Sequence, residues 1–314
     1  MDVLVSATAF EQYGDQLVAA APDVRFLLAS PEGVHLADGA SAPDARPEVA
    51  WLSGDLFAGG RGVAWFRGAF VDSPELRWVH SSTAGLDSPL FVALMERGIR
   101  VTSAHIYAIP VGEYVLRAVL DAFQDAGSWR AAQGERAWRP HEFTEVAGST
   151  WTVVGLGNIG RRIAGVARAL EAQIIGVDQI KPEGAPIDRF VPADALLPEL
   201  ATSDVVVLAR PASPDEPPLV DAAFIAAMKP GSLLVNASRG SLVDEAALLA
   251  GLDEGRPGRA ALDVMATEPL PADSPLWTHP AVAVTPHTAG QGLGRHARGA
   301  TVFASKLGAY LAER

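Results

Sequence analysis

Cysteine is absent from the 314 residues, which removes disulfide scaffolds, thiolate nucleophiles and cysteine-built metal sites together. No apolar run approaches the roughly 18 residues that a membrane span needs. No His-Glu-x-x-His or comparable ligand spacing occurs, so neither a membrane nor a metal is expected. Positive charge is scarce: 25 Lys and Arg stand against 37 Asp and Glu, a formal charge of −12, which repels nucleic acid and anionic membrane. The same deficit means that any site for an anionic ligand must bring its own local cation. The opening Met-Asp-Val-Leu-Val-Ser-Ala lacks a basic start followed by a long apolar stretch, so no signal peptide is expected, and a reducing cytoplasm fits the missing thiols. Internal repeats and low-complexity tracts are lacking as well.

What is present is an ordinary globular composition, 49% hydrophobic and 20% charged, at a length where one core usually divides into two. Over the first hundred residues short apolar runs at 3–6, 24–28, 49–52, 78–80 and 100–101 alternate with helical stretches, the pattern of a parallel sheet. From Gly112 to Ala126 the residues Val115, Leu116, Val119, Leu120 and Phe123 recur at threes and fours and predict an amphipathic helix. Residues 128–150 lack a period and predict no element. A second, more regular α/β series follows, with strands expected at 152–154, 174–177, 205–208, 233–236, 260–263 and 282–285 and helices at 158–170, 221–228 and 244–252. A last helical stretch with Phe303, Leu307, Tyr310 and Leu311 on one face has no strand to feed, and is expected to return to the first domain.

Val153-Val154-Gly155-Leu156-Gly157-Asn158-Ile159-Gly160 follows an expected strand and opens an expected helix, the context that gives G-x-G-x-x-G its meaning. Gly155 permits the tight turn, Gly157 a close approach of backbone to pyrophosphate, and Gly160 close packing of helix on strand, with phosphate at the helix N-terminus. Asp178 closes the next strand, where a carboxylate accepts from both ribose hydroxyls and repels a 2′-phosphate, favouring NAD over NADP. Lys181, three residues on, is a cation within reach of a 2′-phosphate and keeps NADP open. Glycine turns of this kind also serve purely structural strand-to-helix connections, and methyltransferases show a similar turn with an acidic partner.

In a parallel sheet the carboxyl ends of all strands share one edge. Arg239 lies just past strand 233–236, Glu268 past 260–263, and His287 past 282–285. A guanidinium supplies paired planar donors for a carboxylate and the local positive charge the protein otherwise lacks. His287 is a proton carrier near neutral pH, and Glu268, hydrogen-bonded to it, would orient the ring and favour its charged form. Taken one at a time, each has a bland reading: a turn arginine, a solvated carboxylate before Pro269, a loop histidine after Pro286. Together they suit the reduction of a small anionic 2-oxo acid.

These segments resemble the D-isomer-specific 2-hydroxyacid dehydrogenase family. Met228-Lys229-Pro230-Gly231 leading to Asn236-Ala237-Ser238-Arg239-Gly240 is similar to its arginine segment. Ala261-Leu262-Asp263-Val264 with Glu268-Pro269-Leu270 is similar to its glutamate segment, and Thr285-Pro286-His287-Thr288-Ala289-Gly290 to its histidine segment. The similarity spans about Arg77 to Gly290. It implies an α/β fold of two doubly wound parallel-sheet domains, with a Rossmann nucleotide domain (103–287) inserted into a flavodoxin-like substrate domain (1–102 and 288–314). It implies catalytic roles for Arg239, Glu268 and His287, and a substrate carboxylate held by Arg239 and by backbone amides at Ala84 and Gly85 in the loop 82–87. Cofactor contacts are implied for Gly155, Gly157, Asn158, Ile159, Gly160, Asp178, Pro211, Ala237, Ser238, Asp263, His287 and Gly290, with Asp263 on the nicotinamide carboxamide. A homodimer and a D-configured product, with glyoxylate- or hydroxypyruvate-type substrates, are further implications. Asn158 stands where many members carry arginine, and Ala212-Ser213 where Leu-Thr is commoner. A dinucleotide-sensing regulator on the same fold and a formate dehydrogenase relative are the alternatives; Glu268 speaks against the second.

Overall fold

The protein is described by a computed structural model covering residues 1–314 apart from Arg61, Ala84, Asp87, Pro214, Asp215 and Arg314, with the side chains of residues 58–60 also outside the description. It divides into two compact units, Met1–Tyr107 with Leu293–Arg314, and Ala108–Gly292. The divisions fall after Tyr107 and Gly292 rather than after residues 102 and 287.

Among the described residues the first unit holds a six-stranded sheet built from β1 (Asp2–Ser6), β2 (Arg25–Ser30), β3 (Gly33–Leu36), β4 (Val49–Leu52), β5 (Trp78–Ser81) and β6 (Arg100–Ser103), in the order β3-β2-β1-β4-β5-β6. All neighbours are parallel except the β2/β3 hairpin. Without that antiparallel edge strand, which the apolar pattern did not announce, the order is the flavodoxin-like one. Val3, Leu4 and Val5 are all fully buried, because side chains alternate across the pleat and both faces are covered. Val3 and Val5 pack with Trp51, Trp78 and Phe303, whereas Leu4 packs with Leu27, Leu52 and Phe66. Phe303 stacks on Trp51 at 4.8 Å between ring centroids, and this holds the helix Arg295–Ala312 against the sheet of the first unit.

The second unit carries β7 (Thr150–Val154), β8 (Gln173–Asp178), β9 (Arg189–Pro192), β10 (Val205–Leu208), β11 (Leu233–Asn236), β12 (Arg259–Leu262) and β13 (Val282–Val284). The order is β13-β12-β11-β10-β7-β8-β9, all parallel, which is the Rossmann order extended by one strand. Helices form where caps and periods agree. Asp221 Oδ1 accepts from Phe224 N at 2.8 Å ahead of Ala222–Ala227, and Asp244 Oδ1 accepts from Ala246 N and Ala247 N ahead of Glu245–Asp253. The expected helix from Gly112 instead runs Ala108–Phe123, since Pro110 sits in its first turn where no N–H is needed. The stretch expected to be irregular contains a helix, Ala126–Gly134, launched by Asp125 in a left-handed conformation with no side-chain cap. Its sequence, mostly Ala, Gly and polar residues with one buried residue, carries too little apolar contrast to show a period.

Candidate active site on the carboxyl edge of the second unit

Register fixes the stage. Val154 pairs with Leu208, Leu208 with Asn236, Asn236 with Leu262 and Leu262 with Val284, so five strands end in one row. At one end of that row the glycine turn is sterically obligatory. Gly155 has φ +99°, and a Cβ there would meet the Ala209 backbone at 2.7 Å. A Cβ on Gly160 would lie 1.8 Å from the Gly155 carbonyl oxygen, so the helix opening at Asn158 packs against the turn itself. Gly157 and Asn158 are exposed at the helix N-terminus, and Ile159 is half-buried. Asp178 fixes the turn from the next strand: its Oδ2 accepts from Leu156 N and its Oδ1 from Gln179 N, both at 2.7 Å. Each oxygen keeps a lone pair for a hydroxyl donor. Turn, helix terminus and carboxylate therefore fit a dinucleotide.

Arg239 is placed by a small polar knot. Buried Asn236 donates from Nδ2 to Arg239 O at 2.9 Å and accepts from Ser238 N at 3.1 Å, which curls the chain beyond the strand end. Ser238 Oγ donates to Arg210 O, just before Pro211. Ala237 and Ser238 are half-buried and Pro211 is exposed on the same edge. Gly240 brings this loop against its neighbour, since a Cβ there would sit 1.9 Å from the Met265 carbonyl. Met265 in turn donates its N–H to Glu268 Oε1 at 3.1 Å. The arginine and glutamate segments are thus packed backbone to backbone.

Glu268 Oε2 meets His287 Nδ1 at 2.7 Å. A carboxylate only accepts, so Nδ1 carries a hydrogen, and Nε2 is the nitrogen left for other partners. The ring is more than half exposed. His287 has φ +49°, the left-handed region that a non-glycine residue adopts only when its surroundings enforce it. The enforcer is Asp263, 1% exposed, whose carboxylate accepts from Thr285 Oγ1 at 2.6 Å, Thr288 N at 2.8 Å and Ala289 N at 2.8 Å, while its own carbonyl accepts from His287 N at 2.8 Å. Three bonds of roughly four available leave one acceptor position on Oδ2. Gly290 follows, half-buried, in the same loop.

Gly85 lies in the first unit, in the loop after β5, where its carbonyl accepts from Thr83 Oγ1 at 3.0 Å. Ala84 falls outside the described residues. Two side chains tied into this network were not singled out from the sequence: Tyr114 and Thr285, 2.7 Å apart at their hydroxyls. An aromatic in an amphipathic helix and a β-branched residue at a strand end both read as packing.

A glycine turn at a helix N-terminus, a carboxylate after the second strand, and an Arg, Glu and His on one carboxyl edge define a dinucleotide-binding domain of the oxidoreductase kind. The description "D-isomer specific 2-hydroxyacid dehydrogenase, NAD binding domain" matches residues 116–289, and the chain belongs to that family. It is 35% identical over 218 residues to D-3-phosphoglycerate dehydrogenase of Mycobacterium tuberculosis, across 68% of this chain and 41% of that one, so the chain spans about two-fifths of that relative's length. A D-isomer specific 2-hydroxyacid dehydrogenase family protein from Aeromonas salmonicida is similar in structure, with a TM-score of 0.80 at 27% identity over 100% of this chain and 96% of that one. A D-isomer specific 2-hydroxyacid dehydrogenase from Xanthobacter autotrophicus, solved with NADPH and MES, is similar with a TM-score of 0.73 at 29% identity over 96% and 92% of the two chains.

Proposed function

We propose that the protein moves a hydride between NAD(H) and a small 2-oxo or 2-hydroxy acid, with glyoxylate- or hydroxypyruvate-sized acids as the substrate class and a D-configured product. The observation that carries this reading is the Glu268–His287 pair at 2.7 Å, on the same strand edge as the glycine turn. In reduction, bound NADH supplies the hydride to the carbonyl carbon. The imidazolium of His287 gives its Nε2 proton to the carbonyl oxygen, and the neutral ring stays oriented through Nδ1–H on Glu268. Arg239 offers paired donors to the substrate carboxylate. The assignment of Gly85 and Ala84 to the same carboxylate rests on the family resemblance alone.

NAD is the preferred cofactor in this reading, because Asp178 is pinned by two backbone amides and meets a 2′-phosphate with a fixed negative charge. The NADPH bound to the Xanthobacter relative makes both cofactors necessary in any assay. We further assign a homodimer in a cytoplasmic setting. Trp138 is 98% exposed and lines an open groove of about 500 Å³ with Trp129, Ala132, Arg136 and Pro140, an indole placed to be covered by a second copy.

A panel of 2-oxo acids assayed with NADH and with NADPH tests the reading. Turnover of at least one short 2-oxo acid, faster with NADH, is the expected result. Tight NADH binding with no turnover of any acid overturns it in favour of a dinucleotide-sensing protein.

A further inference from the structure

We propose that Tyr114 and Thr285 are positioning residues whose hydroxyls form a directed chain, Tyr114 to Thr285 to Asp263, which sets the buried carboxylate that holds the His287 loop. The inference rests on the reading of His287 as the proton carrier.

The direction follows from donor counting. Thr288 N donates to Asp263 Oδ1 and Ala289 N donates to Oδ2, so both carboxylate oxygens are acceptors. The Thr285 hydroxyl, 2.6 Å from Oδ1, must therefore spend its single hydrogen there. With that hydrogen committed, Thr285 Oγ1 can only accept from the Tyr114 hydroxyl 2.7 Å away. Tyr114 is buried within the helix Ala108–Phe123, an element separate from the loop it supports, and Arg117 lies over its ring at 5.2 Å. Burial pushes the phenol above its ordinary range, with Asp263 adding to the rise against the opposing Thr285 bond, which keeps the hydroxyl a donor at neutral pH.

The consequence bears on His287 because Asp263 grips the loop on both sides of it. Its carboxylate holds Thr285 before and Thr288 and Ala289 after, and its carbonyl holds the His287 N–H itself. The left-handed backbone of His287 depends on that grip. A carboxylate with a wandering Thr285 rotamer rotates more freely, and the two amides beyond His287 lose their fixed partner. A phenylalanine at position 114 fills the same space, so the phenol oxygen, rather than the ring, carries the proposed role.

The test uses Tyr114→Phe, Thr285→Val, Thr285→Ser and the Tyr114→Phe/Thr285→Val double variant of the full chain, with kcat, the KM for NADH, and hydrogen exchange of the Thr288 and Ala289 amides as readouts. Loss of one neutral hydrogen bond predicts a fall in kcat of about 3- to 10-fold for Tyr114→Phe, with the cofactor KM within about twofold and faster exchange at both amides. Thr285→Val falls further, Thr285→Ser restores most of the rate, and the double variant matches Thr285→Val because the chain passes through one hydroxyl. A Tyr114→Phe protein identical to wild type in rate and in exchange overturns the proposal, as does a double variant whose losses multiply. Should the wild-type protein turn over no 2-oxo acid, amide exchange in Tyr114→Phe still decides the chain, and the failure then belongs to the catalytic reading alone.

Discussion

In the first unit the ends of β1 and β4 are closed by groups that satisfy one another. Ser6 Oγ caps the following helix at Ala9 N and donates to Asp55 at 2.6 Å, and Ser53 Oγ donates to Ser6 Oγ at 3.2 Å. His80 lies wholly inside, its Nδ1 2.8 Å from Thr102 Oγ1, its ring stacked on Phe303 and its Nε2 buried without a hydrogen-bond partner among the described residues. In the second unit the equivalent polar groups turn backbone outward: Asn236 presents Arg239, and Asp263 presents His287. The ends of β1 and β4 thus differ from those of β11 and β12 in whether a buried polar group serves its own strand end or holds another residue in the loop beyond it. Fold and function are therefore separable by asking what each buried polar atom is bonded to.

The largest effect that sharpens the contrast is expected at His287. Replacing it by alanine lowers kcat about 10²- to 10⁴-fold while NADH affinity stays within a few fold, measured by steady-state kinetics and cofactor titration. An unchanged kcat breaks the distinction between the two edges. Next comes Gly160→Ala, whose methyl has no room beside the Gly155 carbonyl; overpacking of about 1–3 kcal/mol at the turn weakens NADH binding roughly 10- to 100-fold. Normal binding by that variant would mean the turn yields more easily than its contacts indicate. Glu268→Gln keeps the shape and loses the charge, and is expected to reduce kcat by about tenfold with little change in thermal stability.

The smallest effect belongs to the first unit. Burial holds the His80 imidazole down at a pKa of about 3, with Lys306 and His105 adding repulsion, whereas an unfolded histidine titrates near 6.5. Between those values the unfolded chain takes up a proton that the folded one refuses, so stability is full above pH 6.5 and drains as pH falls. At pH 5.5 the loss is about 1.4 kcal/mol from this group. Thermal melts at pH 7 and 5.5 check it: wild type loses more than His80→Gln by that amount, and equal losses would show that the ring is hydrated.

Much of the second unit was legible because its inner strands are buried on both faces, with Gly155 and Asn236 marking strand ends and Lys229-Pro230-Gly231 closing a helix. The edge strands Gly33–Leu36 and Arg189–Pro192 were not, since a half-exposed edge carries no apolar run. The helix Ala126–Gly134 hid behind a composition with little contrast. The Arg239, Glu268 and His287 triad could be read from its position after successive strands, because a parallel sheet converts order in the chain into adjacency in space. Tyr114 and Thr285 could not, since hydrogen-bond partners 171 positions apart leave no local signature.

The 98% exposure of Trp138 offers a spectroscopic handle. Its indole emits as a water-bathed chromophore, open to collisional quenchers, while Trp51, Trp78 and Trp151 are sealed in cores and stay dark to them. Because Trp129 and Trp277 are also exposed, the difference between wild type and Trp138→Phe in a fluorescence dilution series reads subunit association at this indole. Emission that reddens and becomes quenchable as the protein is diluted marks a dimer coming apart at this indole, and a spectrum blind to concentration places Trp138 outside any contact between copies.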